Sequence, residues 1–363
     1  MTFYDNAVEA PPELIARAVN DRQRLLRHET EDFLRRLSLD YEQRRSDYWR
    51  HDYSSIESYL ASIEDNRKRL QEALGDFGPA TGPPEAEVEP FMEDDKTLAR
   101  WVTVEVYEGC FARAVIGLPK GANGPVPLVI CQHGIGSSPE RTFGLDDPSQ
   151  VYHAYARRLV EDGFAVLAPQ HVTEGPPRAR LTWMCLMLGK TLWGLEICKL
   201  KRLLDVAETW DGIDASRLGM WGISLGGAYT QWAVPLERRI RLAISCAFFN
   251  DRLRKMVVDD PRHSCFLSAG EPHIFVPNWL TEFADSDLVS LICPRPFMSQ
   301  TGKCDGIAWW PWVTAEFDKA KAHYERLGIA ERCELALHDG GHEIHYESGV
   351  AFLKKWLAEG AAI

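Results

Sequence analysis

The chain has 363 residues, of which 45% are hydrophobic and 26% are charged, and its formal net charge at pH 7 is −12. These proportions are typical of a soluble globular protein, and the excess of carboxylates disfavours nucleic acid as a partner because it repels a phosphate backbone. The length exceeds that of most single domains, so we expect one large domain with an accessory segment.

The sequence shows no pattern that directs a chain to a membrane. No run approaches the roughly 18 apolar residues of a membrane-spanning helix, and the first residues lack the basic region and apolar core of a signal peptide. The nine cysteines show neither CxxC pairs nor zinc-ligand spacing. We therefore expect a cytoplasmic protein with reduced thiols, no membrane partner, no metal and no cofactor. A homo-oligomer is left open.

The first 84 residues predict a helical extension followed by a linker. Apolar residues recur at helical spacing in three successive stretches, the first of them after two adjacent prolines. In the third stretch, Ser54 followed by Glu57 predicts a capping box at the start of a helix, and Gly75 predicts its end. Residues 78–84 are rich in glycine and proline, which disfavour both helix and central strand.

Residues 85–363 alternate apolar runs with helical patterns and form the predicted catalytic domain. The first two runs predict an antiparallel pair, at Trp101–Tyr107 and Phe111–Leu118. The later runs predict buried parallel strands, at Pro127–Gln132, Ala165–Ala168, Leu218–Trp221, Leu242–Phe248, Phe297–Gln300 and Cys333–Leu337. Helical patterns separate them, at Gln150–Glu161, Thr191–Trp210, Thr314–Leu327 and Val350–Leu357. Such alternation predicts an α/β fold with a mostly parallel, doubly wound sheet.

A G-x-S-x-G motif, with Ser224 as its serine, lies between a predicted strand and a predicted helix. In that context the motif predicts a nucleophilic serine on a sharp turn that projects the hydroxyl above the sheet of an α/β-hydrolase fold. The amides at the start of the following helix point to where negative charge develops. The alternative is an ordinary tight turn that packs a helix on a strand.

A nucleophilic serine needs a base and an acid that orients the base, and in this fold the chain order is serine, acid, histidine. His342 follows two glycines after the last predicted strand, and we expect it to be the base. His338 and His345 compete with it, although we expect them to end the strand and to begin the last helix. A metal site built from the three histidines is disfavoured because HExxH is absent.

The acid is expected after the preceding strand, where Asp305 lies. Its position between the serine and the histidine fits the chain order of the triad. Asp251 follows an earlier strand and is the alternative acid, but a carboxylate at the start of a helix is more often a cap.

The oxyanion hole is expected from a His-Gly turn after the strand that ends at Gln132. One backbone amide would come from Ile135 and the other from Leu225, directly after the nucleophile. We expect His133 to hold this loop in place and not to act as a base.

Several stretches together resemble the dienelactone-hydrolase-related α/β-hydrolases, in particular the branch that contains acetyl xylan esterase and relatives with a helical N-terminal extension. The resemblance covers about Trp101 to Leu357, and a weaker one covers Tyr48 to Gly75. The stretches that carry it are Leu188–Leu195, Arg202–Asp205 and Ile213–Gly219.

The resemblance implies Ser224, Asp305 and His342 as the catalytic triad, in agreement with their placement from the strand pattern. Two departures refine the expectation. Dienelactone hydrolases proper use a cysteine where this chain has Ser224. Sugar acetyl esterases usually carry glutamine directly after the nucleophile, where this chain has Leu225, and the difference disfavours a carbohydrate ester.

Aromatic residues near the predicted acid are candidates for binding the substrate. Trp309 and Trp310 follow the acid closely, and Trp183 precedes the helix that leads to the nucleophile strand. Such rings could stack on the substrate or pack the N-terminal helices onto the catalytic domain. The 251–285 segment is long and punctuated by proline, which is typical of a cap over the pocket or of a subunit contact.

Taken together, these patterns predict a serine hydrolase that cleaves a carboxylic ester of a small molecule through an acyl-enzyme. The same groups can cleave an amide or a carbon–carbon bond, since the pocket and not the triad selects the bond. A binding protein on a hydrolase scaffold is the alternative from another class.

Overall fold

A computed structural model of the protein describes residues 12–357. Within that range nine strands form one sheet. They are β1 (Ala86–Glu93), β2 (Thr97–Tyr107), β3 (Cys110–Pro119), β4 (Val126–Gln132), β5 (Ala165–Pro169), β6 (Ile213–Ile223), β7 (Ile240–Cys246), β8 (Phe297–Gly302) and β9 (Cys333–His338). Their order across the sheet is β1-β2-β3-β5-β4-β6-β7-β8-β9. The strands from β5 to β9 in this order are parallel, whereas β1, β2 and β3 pair antiparallel at one edge. The predicted mostly parallel sheet is confirmed.

Fifteen α-helices are present in the described range. They are α1 (Pro12–Ser38), α2 (Tyr41–Ser46), α3 (Ile56–Ser62), α4 (Glu64–Leu74), α5 (Pro139–Thr142), α6 (Tyr155–Glu161), α7 (Gly175–Met187), α8 (Leu192–Glu208), α9 (Leu225–Leu236), α10 (Arg252–Val257), α11 (Phe266–Ala269), α12 (Trp279–Glu282), α13 (Asp285–Ile292), α14 (Trp310–Arg326) and α15 (Tyr346–Leu357). Helix α6 begins later than its pattern predicts, because Gln150, His153 and Ala154 have positive φ angles.

Two hydrophobic cores form on the two faces of the sheet, because successive side chains of a strand point to opposite sides. On β4, Leu128 and Ile130 join the core that also contains α8, α9, α13 and α14. Val129 and Cys131 join the core that contains α6 and α15. The sheet is therefore covered by helices on both faces, as a doubly wound fold requires.

The N-terminal extension departs from its predicted form in two places. Helix α1 is continuous over 27 residues where the sequence predicts two patterns, since no glycine or proline interrupts it after Pro12. The cap of α3 is Ser55, whose Oγ accepts the N–H of Ser58 at 3.1 Å, so the predicted capping box at Ser54 is wrong by one residue. Helix α4 ends as predicted before Gly75, which has φ 85°. The first of the two adjacent prolines lies outside the described residues.

The extension is hydrogen-bonded to the body of the molecule. Trp49 Nε1 donates to the carbonyl of Glu282 at 2.7 Å, and the hydroxyl of Tyr59 donates to the carbonyl of Ser290 at 2.8 Å. Both donors are buried. The linker that follows is also held, because the amide of Thr81 donates to a carbonyl of strand β2 at 3.0 Å.

The 251–285 segment lies between β7 and α13 and contains the three short helices α10, α11 and α12. Its two ends are clamped by a buried ion pair, in which Arg252 Nε lies 2.8 Å and Nη2 2.6 Å from the two oxygens of Asp285. A bidentate pair of this kind is geometrically specific, so the ends of the segment are held together. No helix in the described range is long and apolar enough to cross a membrane.

Candidate active site

Ser224 occupies a strained turn between β6 and α9. Its φ of 59° and ψ of −119° lie in a region that residues with a side chain rarely adopt. The turn is held by a hydrogen bond from the Ser224 amide to the carbonyl of Cys246, at the end of the neighbouring strand β7 (2.9 Å). This is the backbone conformation expected of a serine that projects from a strand-to-helix turn.

Two glycines of the motif are required by close backbone contacts. A Cβ on Gly222 would lie 2.1 Å from the carbonyl oxygen of Gly226, and a Cβ on Gly226 would lie 2.1 Å from the carbonyl oxygen of Gln132. Both obstacles are backbone atoms, which cannot move aside as a flexible side chain can. The motif therefore brings the start of α9 against the end of β4.

Asp305 and His342 are brought together by the loops that follow β8 and β9. Asp305 Oδ2 lies 2.9 Å from Nδ1 of His342, and the Asp305 side chain is fully buried while that of His342 is 32% exposed. The other carboxylate oxygen accepts the amide of Ile307 at 2.9 Å. With Nδ1–H donating to the carboxylate, Nε2 of His342 carries the free lone pair that a general base needs.

Hydrogen bonds connect the loop that carries His342 to the end of strand β7, which also binds the amide of Ser224. The thiol of Cys246 donates to the carbonyl of Glu343 at 3.2 Å, and the Cys246 carbonyl accepts the Ser224 amide. Burial raises the pKa of the Cys246 thiol, which keeps it protonated as a donor. One residue thus links the predicted nucleophile to the loop of the predicted base.

The competing acid and bases have other partners. Asp251 caps α10, with Oδ1 accepting the amide of Arg254 at 3.1 Å. The rings of His338 and His345 stack on each other with centroids 4.9 Å apart, and His345 Nδ1 lies 2.8 Å from the hydroxyl of Ser348. In the described part of the chain, no group of three or more His, Cys, Asp or Glu side chains could hold a metal ion.

The turn after β4 lies directly against Ser224. A Cβ on Gly134 would be 3.3 Å from Cβ of Ser224. The amide of Gly134 donates to the hydroxyl of Tyr152 and that of Gly136 to a carbonyl after β5. Between them, the amide of Ile135 has no protein acceptor among residues 12–357. It is therefore available to a substrate oxygen.

The second predicted oxyanion donor, Leu225, is the first residue of α9. Amides in the first turn of a helix have no partner inside the helix, so α9 itself does not use the Leu225 amide. His133 is fully buried, and burial lowers its pKa to about 4. Its Nδ1 lies 3.0 Å from the carbonyl of Gly134, a position in which the neutral ring supports the loop.

The three predicted substrate tryptophans do not form one wall. Trp309 packs edge-on against Trp312 with ring centroids 5.0 Å apart, and the guanidinium of Arg262, in the 251–285 segment, lies 4.0 Å from its centroid. Trp183 is 57% exposed on α7 and, in the described structure, makes no ring contact with Trp309 or Trp310. Trp309, through Arg262, and Trp312, through His263, therefore contact the 251–285 segment.

Sequence reasoning missed a groove of about 810 Å³ beside the turn after β4. It passes Gly136 and Ser137 and continues between strand β3 and helices α7 and α8. The signal in the sequence was the apolar run Leu181–Leu188, which is too short for a membrane span and supplies part of the lining.

The chain is similar in sequence to a curated protein and in fold to solved structures. No protein-family model matches the chain. It is 26% identical over 310 residues to a Bacillus subtilis (strain 168) protein named "Putative hydrolase YtaP", an alignment that covers 81% of this chain and 99% of the relative.

Solved structures of two named esterases resemble the fold. A structure titled as a putative acetyl xylan esterase from Bacteroides fragilis aligns with a TM-score of 0.62 at 16% identity, covering 83% of this chain and 80% of that one. A glucuronoyl esterase from Solibacter usitatus aligns with a TM-score of 0.64 at 16% identity, covering 83% and 93%. These similarities establish the α/β-hydrolase fold.

Proposed function

We propose that this chain with an α/β-hydrolase fold is a serine hydrolase that cleaves a carboxylic ester of a small molecule through an acyl-enzyme. The observation that carries the proposal is the hydrogen bond between buried Asp305 and His342, on the same edge of the sheet as the strained turn of Ser224. The names of the similar proteins, a putative hydrolase, a putative acetyl xylan esterase and a glucuronoyl esterase, support the same class of reaction.

The proposed mechanism uses only groups of the chain. The hydroxyl of Ser224 attacks the ester carbonyl while Nε2 of His342 takes its proton, and Asp305 holds the imidazolium that forms. The amides of Ile135 and Leu225 donate to the oxyanion of the tetrahedral intermediate. The imidazolium then protonates the departing alcohol. Water, deprotonated by the same imidazole, then attacks the acyl-enzyme. The bond between the acyl carbon and Oγ of Ser224 breaks, the imidazolium returns the proton to Oγ, and the carboxylic acid is released.

A fluorophosphonate probe tests the nucleophile. We expect the folded protein to be labelled on one serine, Ser224→Ala to abolish the labelling, and a matched change of exposed Ser149 to Ala to leave it unchanged. Labelling that persists in Ser224→Ala, or no labelling of the folded wild type, contradicts the proposal.

A panel of p-nitrophenyl esters of increasing acyl length tests the bond. Turnover that depends on Ser224 supports ester hydrolysis. Labelling of Ser224 without turnover of any ester would instead indicate an amide or carbon–carbon bond as the substrate, and neither labelling nor turnover would indicate a binding protein.

A further inference from the structure

The groove beside the turn after β4, here called the α7 groove, adjoins the proposed site through that turn, which also carries Ile135. It begins at Gly136 and Ser137 and reaches Phe111 and Arg113 at the start of β3. Strand β3 is antiparallel to β5. The start of β3 therefore lies on the side of the sheet where the parallel strands have their carboxyl ends. The groove therefore runs along the carboxyl ends of the parallel strands, where Ser224 also lies.

The strand order sets the length of this path. Strands β6, β4, β5 and β3 are consecutive neighbours in the sheet. With neighbouring strands roughly 4.8 Å apart, the start of β3 lies about 14 Å to the side of the end of β6. A small acyl group such as acetyl would not reach it, whereas an extended chain bound at Ser224 would.

Apolar side chains line much of this path, several of them open to solvent. Met184 on α7 is 48% exposed, Leu188 after it is 70% exposed, and Phe111 on the opposite side is 39% exposed. Leu181 and Leu192 complete the wall. Contiguous exposed apolar surface of this kind is typical of a binding groove.

Three carboxylates line the groove, at Asp146, Glu174 and Glu196. Asp146 lies in the loop after α5, and Glu174 follows the residue whose carbonyl accepts the Gly136 amide. The third carboxylate, Glu196, is neutralised by Arg178, whose two terminal nitrogens lie 2.9 and 3.0 Å from its oxygens.

Three basic side chains also line the groove, at Arg113, Arg141 and Lys199. Of these, Arg141 donates to the carbonyl of Gly136. Arg113 lies near the start of β3, and Lys199 lies about two turns into α8. Neither of these two cations has a carboxylate within ion-pair distance in the described range, although the charge of Lys199 acts on buried Glu196. The groove therefore carries two cations that form no ion pair.

We propose that the α7 groove binds the acyl group of the ester, and that this acyl group is an apolar chain ending in a carboxylate. The inference rests on the proposed ester hydrolysis. The acyl side is assigned because Ile135, which would bind the acyl carbonyl oxygen, is followed directly by the first residues of the groove. The apolar chain contacts α7, and the terminal carboxylate pairs with Lys199 and Arg113.

Three p-nitrophenyl esters test the proposal: the acetate, the octanoate, and the monoester of octanedioic acid, which has the same chain length as the octanoate and a terminal carboxylate. We expect the wild type to have the highest kcat/KM for the carboxylated ester. Lys199→Gln and Arg113→Gln each raise KM for that ester about tenfold, the effect expected for one lost hydrogen bond to a charged group. In both variants the ratio of kcat/KM for the carboxylated ester to that for the octanoate therefore falls.

Two further variants separate the groove from other effects. Met184→Asp lowers kcat/KM for the octanoate relative to the acetate, while Lys201→Gln, on the same helix as Lys199 but outside the groove, changes none of the three. Acetate turnover shows that each variant is folded. If the acetate is hydrolysed and the groove variants do not change discrimination among the esters, the groove assignment is wrong and ester hydrolysis stands. No turnover of any ester overturns both.

Discussion

Asp305 and His342 form a 2.9 Å hydrogen bond although they lie 37 positions apart in the chain. The loops after two adjacent parallel strands bring them together, and the carboxylate is oriented by the amide of Ile307 on its other oxygen. A buried carboxylate in this position fixes the tautomer of the histidine and stabilises its charged form.

We therefore expect Asp305→Asn to lower kcat for a p-nitrophenyl ester by about 10⁴-fold, the loss that follows when asparagine replaces the acid of a Ser-His-Asp triad. The matched change Asp251→Asn should leave kcat unchanged, because asparagine caps a helix as well as aspartate. Steady-state kinetics of both variants measure these changes in kcat. A severe loss of kcat in Asp251→Asn alone would show that Asp305 is not the acid.

Gly226→Ala should disrupt the turn of the nucleophile. The added Cβ would lie 2.1 Å from the carbonyl oxygen of Gln132, so α9 must move away from β4. We expect the free energy of unfolding to fall by about 1–3 kcal/mol, as for other overpacked sites, together with a loss of turnover. Urea denaturation and ester hydrolysis measure the two effects. Gly175→Ala is the control, since a Cβ there has nothing within 4 Å, and an equal loss in both variants would refute the argument.

Lys255, in the 251–285 segment, holds the loop of the predicted acid. Its Nζ donates at 2.7 Å to the carbonyl of Ile307 and at the same distance to the carbonyl and hydroxyl of Ser264. The amide of Ile307 in turn orients Asp305. We expect Lys255→Met to lower kcat by up to about 10²-fold with little change in KM, the size of effect that a small misplacement of a catalytic group produces.

The control for Lys255 is Lys303→Met, which removes only a surface ion pair with Asp339. Such pairs contribute little to stability, so its kinetics should match those of the wild type. If Lys255→Met also turns over normally, the segment does not position the acid.

His323 should make stability sensitive to acid. Burial lowers its pKa to about 3, with further lowering by His51, Arg326 and Arg45, and its Nδ1 lies 2.8 Å from the hydroxyl of Tyr53. In the unfolded chain a histidine has a pKa near 6.5. Below that pH the unfolded state binds more protons than the folded one, so the contribution of the neutral ring is lost as pH falls from about 6.5 towards 3.

We therefore expect the stability difference between the wild type and His323→Gln to shrink on acidification, by at most about 1.4 kcal/mol per pH unit. Urea denaturation at a series of pH values between 7 and 4 measures it. A pH-independent difference for His323→Gln would mean that the ring is charged in the folded state.

The parts of the site that the sequence predicts are those set by local rules. The motif around Ser224 predicts a strand-to-helix turn. Asp305 and His342 follow apolar runs that form neighbouring parallel strands, and the carboxyl ends of such strands lie on the same side of the sheet. Strand β1 was missed because none of its residues is buried, and an exposed edge strand lacks the apolar alternation that marks a strand.

Long-range packing explains the remaining differences. The side chain of Trp309 contacts Arg262 in the 251–285 segment, and the sequence does not predict the path of that segment. The α7 groove is assembled from β3, α7 and α8, so its apolar wall and its two cations are adjacent only after folding. Local patterns carry no information about such contacts.

The anchoring of the N-terminal extension has a consequence for synthesis on the ribosome. The carbonyls that accept Trp49 and Tyr59 lie 233 and 231 residues further along the chain. At roughly 5–20 residues per second, the first helices emerge about 10–50 s before their docking surface exists. During that interval the apolar faces of these helices have no native partner, so the nascent chain is a candidate for chaperone binding until α12 and α13 have been translated.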